Sequence, residues 1–161
     1  MLAIAVSGSE TNFLNQMRQQ ANKWKLYNVK LVTVDGLPEK NKNFLGMTTT
    51  IENKMSANDM AIIARKLVTD YPEVLSTTKV AKSDFRNTLM TNSNKMLSGL
   101  SDYDPNYPVD GLKTGTTDGA GACFTCTMNK NNKRVITVIL GAQNDNERFS
   151  ETKKLLNYSF N

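Results

Sequence analysis

Histidine is absent from the 161 residues. That removes every Ser-His-Asp or Cys-His relay and the commonest zinc ligand from consideration. Cysteine is nearly absent as well, with Cys123 and Cys126 forming a Cys-x-x-Cys and no second pair. The residues around them, Ala122-Cys123-Phe124-Thr125-Cys126-Thr127-Met128, are strand formers. An offset of three along a strand puts the two thiols on opposite faces, with Cα atoms ~10 Å apart, beyond the ~7 Å reach of a disulfide. No metal, cofactor or redox centre is expected. There is a single tryptophan, Trp24, and hydrophobic residues make up 39% of the chain. No apolar run approaches the ~20 residues of a membrane span. The opening Met1-Leu2-Ala3-Ile4-Ala5-Val6 lacks the basic start and the length of a secretory signal. Any export signal would lie upstream, and any membrane contact is expected from parts outside this chain.

What is present is a mildly basic composition, with net charge +5 and a pI near 9.2. The basic residues are scattered in pairs such as Lys23/Lys25, Lys79/Lys82 and Lys153/Lys154. None forms a basic run with interleaved aromatics of the kind that tracks phosphates, so nucleic acid is not an expected partner. Solvated faces account for most of this charge, and a basic surface also suits work among anionic polymers. The length fits one domain over residues 1–161.

Periodicity predicts an amphipathic helix over 10–26, with Phe13, Leu14, Met17, Ala21 and Trp24 near one face. A short extended piece follows at 31–34, ended by the turn pair Asp35-Gly36, and 39–54 reads as a polar surface loop. Residues 56–70 give the clearest helix, stopped by Pro72. Residues 77–97 are mixed, with short strands and a loop around Asn92-Ser93-Asn94. Residues 101–108 are irregular, strands follow at 122–128 and 134–141 joined by Asn129-Lys130-Asn131-Asn132-Lys133, and the last helix covers 147–160.

The most informative stretch is Val109-Asp110-Gly111-Leu112-Lys113-Thr114-Gly115-Thr116-Thr117-Asp118. Lys-Thr-Gly on a short strand is one signature of serine acyltransferases that handle penicillins and D-Ala-D-Ala peptides. An ammonium there supplies positive charge beside an anionic substrate, and the glycine leaves room for an extended peptide along the strand edge. The glycines after Lys113 are not a phosphate cradle, because a P-loop places its lysine after the glycines, at a helix start.

Further matches run in one order along nearly the whole chain. They are Ser7-Gly8-Ser9-Glu10 with Phe13, Leu14, Met17 and Ala21; Asp35-Gly36-Leu37; Ser56-Ala57-Asn58-Asp59-Met60-Ala61-Ile62-Ile63-Ala64-Arg65; Tyr71-Pro72-Glu73-Val74-Leu75; Arg134-Val135-Ile136-Thr137-Val138-Ile139-Leu140-Gly141; and Arg148-Phe149 with Glu151-Thr152-Lys153-Lys154-Leu155-Leu156. In this collinear set the chain resembles the low-molecular-weight penicillin-binding proteins, the serine-type D-alanyl-D-alanine carboxypeptidases. The resemblance implies an α/β fold of the serine D,D-peptidase and β-lactamase kind, an antiparallel sheet with packed helices including a C-terminal one. It also implies removal of the terminal D-Ala of peptidoglycan stem peptides through an acyl-serine, β-lactam antibiotics as inhibitors, and a place on the extracytoplasmic face of the envelope. By resemblance Lys113 tunes the charge of the site, Thr114 and Gly115 hold substrate, and the backbone N–H of Thr116 supplies half of an oxyanion hole. Arg148 is a further substrate-binding candidate, with a surface charge at a helix start as its plain alternative.

In that family a Ser-x-x-Lys and a Ser-x-Asn precede the part resembled here, so the nucleophile lies outside this chain, which by itself is expected to be inactive. Two literal matches, Ser76-Thr77-Thr78-Lys79 and Ser56-Ala57-Asn58, occur in the wrong order. The β-branched Thr77 and Thr78 start a helix poorly, and Ser56 with Asp59 reads as a helix cap. Rival readings are a non-catalytic module that binds peptidoglycan or a partner, and a β-lactamase relative, which would need a deacylating carboxylate not placed here.

Overall fold

The computed structural model describes residues 1–160. The chain comprises two compact units, Met1–Asp59 and Met60–Asn161.

In the first unit, helix α1 (Leu2–Ser7) stops at Gly8, whose φ of 76° lets its N–H reach the Ile4 carbonyl at 2.8 Å. Helix α2 (Glu10–Lys23) starts at Ser9, whose hydroxyl accepts the Asn12 N–H at 3.1 Å; Glu10 and Lys23 sit at the ends that suit their charges. The extended piece expected at 31–34 forms no ladder. A single bridge pairs Lys30 with Lys54. Side chains do the rest: Arg18 donates to the Leu31 carbonyl through Nε and Nη2 at 3.0 and 2.7 Å. The Asn53 amide accepts from the N–H groups of Val32 and Thr33 and donates to the Thr33 carbonyl, imitating a strand. The surface loop expected at 39–54 is instead an antiparallel hairpin, β1 (Glu39–Lys42) and β2 (Thr48–Ile51). Its second strand is Thr-Thr-Thr-Ile, whose β-branched side chains favour extended backbone where periodicity gives no signal.

Helix α3 (Ala57–Asp70) opens on a reciprocal cap, the Ser56 hydroxyl donating to Asp59 Oδ2 at 2.8 Å and accepting the Asp59 N–H at 3.1 Å. After Pro72 comes a short helix, α4 (Val74–Thr78), where β-branched Thr77 and Thr78 had argued against helix. A tertiary bond offsets the weak propensity: Thr78 Oγ1 donates to the Asp110 carbonyl at 2.8 Å. That approach needs a glycine next door, since a Cβ on Gly111 would lie 2.7 Å from Thr78 Oγ1. Gly111→Ala is therefore expected to destabilise the second unit by about 1–3 kcal/mol through overpacking, read as a lower denaturant midpoint. An unchanged midpoint would mean that the α4 contact is loose.

A second hairpin, β3 (Lys82–Phe85) and β4 (Thr88–Thr91), turns through Arg86 and Asn87, both at positive φ. The main sheet follows in the order β5 (Val109–Thr117), β6 (Gly121–Lys130), β7 (Lys133–Ala142), antiparallel throughout. Asn131 and Asn132, at φ 54° and 60°, make a two-residue turn between β6 and β7, tighter than the five-residue link expected. Helix α5 (Asp145–Phe160) lays Phe149 and Leu156 on the sheet face that carries Phe124, Cys126 and Met128, a core closed by Met96, Leu97 and Val109. The Phe124 and Phe149 rings meet edge to face at 5.4 Å.

Candidate active site on the triplet strand

Strand β5 is an edge. It pairs with β6 along its length and, among the described residues, with no strand on its other side. The register Thr114↔Phe124 and Lys113↔Thr125, with the alternation of a pleated strand, divides the triplet between two faces. Thr114 and Thr116 share the face of Phe124, against which α5 packs, while Lys113 and Gly115 take the opposite face. This explains why Thr114 is buried and its neighbours are exposed.

Lys113 is exposed, and its ammonium donates to the Thr114 carbonyl, so the charge is held along the strand it belongs to. Gly115 is exposed, and a Cβ built on it would meet nothing within 4 Å. No crowding within the chain demands a glycine there. The Thr114 hydroxyl is shared with Ser93 at 2.6 Å. Ser93, on the segment that follows β4, is itself exposed and brings a second hydroxyl to the triplet. Its loop context, Asn92-Ser93-Asn94, carried no sign of this, because the partners stand 21 residues apart.

Arg148 is 3% exposed, so it is not a surface charge at a helix start. Its Nη1 donates to the Gly115 carbonyl at 3.1 Å, to Thr116 Oγ1 at 3.2 Å and to the Cys123 carbonyl at 3.3 Å. Nη2 pairs with Asp145 at 2.9 Å, and the guanidinium lies 5.0 Å from the centre of the Phe149 ring. Asp145 also meets Lys95 at 3.4 Å. Arg148 thus ties the first turn of α5 to the strand end where the triplet finishes. At the opposite end of the strand, Arg134 makes a bidentate pair with Asp110 at 3.0 and 2.8 Å and donates to Thr127 Oγ1 at 2.7 Å, joining β7, β5 and β6. Between them the two arginines fix both ends of β5.

The literal Ser-x-x-Lys falls on α4, but the Ser76 hydroxyl donates to the Glu73 carbonyl at 2.7 Å. Ser56 is committed to its cap. Among the described residues no serine hydroxyl is hydrogen-bonded to a lysine amine. Cys123 and Cys126 are free thiols. Cys126 sits in the core, where burial pushes its thiol far above the usual range and keeps it protonated and unreactive.

Comparison with known proteins agrees with this geometry. A family model described as D-alanyl-D-alanine carboxypeptidase matches residues 1–144. The chain belongs to that family. Within it, the chain is similar to the D-alanyl-D-alanine carboxypeptidase DacC of Escherichia coli, 35% identical over 159 residues, which are 99% of this chain and 36% of that protein. DacF of Bacillus subtilis is 30% identical over 165 residues, 99% of this chain and 38% of DacF. The chain thus spans little more than a third of the length of the curated relatives it matches. Among solved structures, a peptidoglycan synthesis regulatory factor (PBP3) from Streptococcus pneumoniae superposes with a TM-score of 0.85 at 40% identity, covering 98% of this chain and 44% of that one. Penicillin-binding protein D2 from Listeria monocytogenes, in its ampicillin-bound form, superposes with a TM-score of 0.72 at 30% identity, over 92% of this chain and 56% of that one. The fold is that of the D,D-peptidases of this carboxypeptidase family, with antiparallel strands and a C-terminal helix.

Proposed function

We propose that this chain supplies the triplet strand of a serine-type D-alanyl-D-alanine carboxypeptidase site, which trims peptidoglycan stem peptides on the extracytoplasmic side of the envelope and is inhibited by β-lactams. The observation that supports it most is the open edge of β5, with exposed Lys113 and the unfilled space over Gly115 side by side. An extended peptide adds to such an edge by main-chain hydrogen bonds. In the reaction a serine hydroxyl adds to the carbonyl of the penultimate D-Ala, the C–N bond breaks, and D-Ala leaves as the protonated amine. Water then hydrolyses the ester. Lys113 places positive charge beside the substrate carboxylate and the developing oxyanion. Thr114, with its hydroxyl already polarised by Ser93, contributes to carboxylate binding, and the Thr116 N–H to the oxyanion hole. Arg148 and Arg134 keep that strand in register. The nucleophile is a serine outside the residues described here.

The 161-residue chain incubated alone with a fluorescent penicillin is expected to acquire no covalent label, because neither the Ser56 nor the Ser76 hydroxyl is hydrogen-bonded to a lysine amine and each is committed to its own helix. A stoichiometric label mapped to either serine would overturn the assignment of the nucleophile. The test of the reading itself is penicillin acylation and D-Ala release by the product of the whole gene. A protein that binds stem peptide reversibly and never acylates would be the binding module instead.

A further inference from the structure

The β1–β2 hairpin has a surface that the triplet site does not use. Its tip is Asn43-Phe44-Leu45-Gly46-Met47, and Phe44, Leu45 and Met47 are 95%, 66% and 57% exposed. Side chains of this kind at a loop tip cost solubility, and nothing in the first unit covers them. The backbone beneath them, by contrast, is well satisfied. Asn43 Oδ1 accepts the N–H groups of Leu45 and Met47, each at 3.0 Å. The Asn43 N–H reaches the Met47 carbonyl and the Gly46 N–H the Asn43 carbonyl, each also at 3.0 Å, with Gly46 at φ 78° making the turn. Four of the five tip N–H groups, those of Asn43, Leu45, Gly46 and Met47, are therefore already bonded within the tip, which lowers the cost of placing it in a medium without water. Only the apolar side chains project from it.

Charge is ordered along the same hairpin. Lys40 and Lys42 stand two residues apart on one strand face, both exposed, opposite Thr50 and Thr48. The hairpin's acidic residue, Glu39, lies at the base opposite Ile51, at the end far from the tip. From the tip inwards the order is apolar wedge, then cations, then acid. That is the order of a bilayer interface bearing anionic headgroups, with acyl chains deepest and phosphates above them. The β3–β4 hairpin serves as a contrast: it also exposes Phe85, Leu89 and Met90, but its turn is Arg86-Asn87, a charged and polar tip. A protein groove would accept the apolar tip of β1–β2 without needing the lysine pair behind it. We infer that the β1–β2 hairpin is a membrane-contact element that seats Phe44, Leu45 and Met47 in the interface of an anionic bilayer. This stands apart from the carboxypeptidase reading, which uses none of these residues.

The experiment is co-sedimentation of the chain with vesicles of phosphatidylcholine alone or mixed with phosphatidylglycerol. Binding is expected only with phosphatidylglycerol present. Combining Phe44→Ser, Leu45→Ser and Met47→Ser should lower the partition coefficient at least about tenfold, while Lys40→Gln and Lys42→Gln should each lower it about fivefold. The unfolding midpoint should stay at the wild-type value in all of these variants, since every changed side chain is exposed. In a Phe44→Trp variant, lipids brominated on the acyl chain should quench fluorescence beyond the level that Trp24 shows in the wild type. No binding to phosphatidylglycerol vesicles overturns the inference, and so does full binding by the serine variant, which would move the contact to the general basic surface. Protection of Phe44 and Met47 from hydroxyl-radical labelling in the lipid-free whole-gene product would also overturn it, because another protein surface would then cover the tip.

Discussion

On the proposed function, Lys113→Ala made in the whole-gene product is expected to slow acylation by penicillin by about 10²–10³, the worth of an oxyanion-type electrostatic contact of ~2.7–4 kcal/mol. The lysine is exposed on the open face of an edge strand, and its ammonium rests on the carbonyl of the next residue. Removing it therefore leaves no buried partner stranded, and the fold should be indifferent to the change. That separates chemistry from stability: the acylation rate constant should fall while the unfolding midpoint holds. A variant that binds penicillin more weakly but acylates at the wild-type rate constant would show that the lysine gives ground-state affinity alone, as a binding module would require.

The opposite signature is expected for Arg148→Met. Here the group lost is buried and makes three hydrogen bonds and one ion pair, so about 3 kcal/mol of stability should go with it, lowering the denaturant midpoint. The loss falls toward the low end of what a buried pair gives, because Asp145 is 42% exposed and water can take over its side. Acylation should slow as well, since the Gly115 carbonyl and Thr116 hydroxyl lose the donor that fixes them. Arg148→Lys should recover only part of both effects, because one ammonium cannot span three acceptors and Asp145 as a planar guanidinium does. An Arg148→Met protein with wild-type midpoint and wild-type acylation would remove the positioning role.

What the sequence disclosed was local or collinear. The helix over 56–70 and the last helix were legible because their apolar residues recur at helical spacing between clear stop signals. The strands of the main sheet were legible because alternation and the Asn-rich turn agree. The order of the motifs carried the family and the fold. The β1–β2 hairpin escaped, since every position of β1 is exposed and no buried face leaves a period to read, whereas the short strands expected within 77–97 are there as β3 and β4. Helix α4 escaped because its support is Thr78 reaching a carbonyl 32 residues away, a partner that propensity does not see. The site was half legible. Lys113 and Gly115 stand where the motif predicts, on an edge, whereas the Ser93 hydroxyl against Thr114 and the inward Arg148 depend on long-range contacts that no local pattern encodes.

Gly115 has a thermodynamic consequence of its own. Its φ is not in the left-handed region and a methyl group would strike nothing, so the folded chain would accept alanine at this position. Glycine in a strand interior gives up more backbone freedom on folding than alanine does, a loss of roughly 0.5–1 kcal/mol. The strand is thus held at less than its attainable stability by a residue that the isolated chain has no mechanical reason to keep. In a protein whose total stability is of the order of 5–15 kcal/mol, a deficit of that size at one exposed position is a measurable share of the whole.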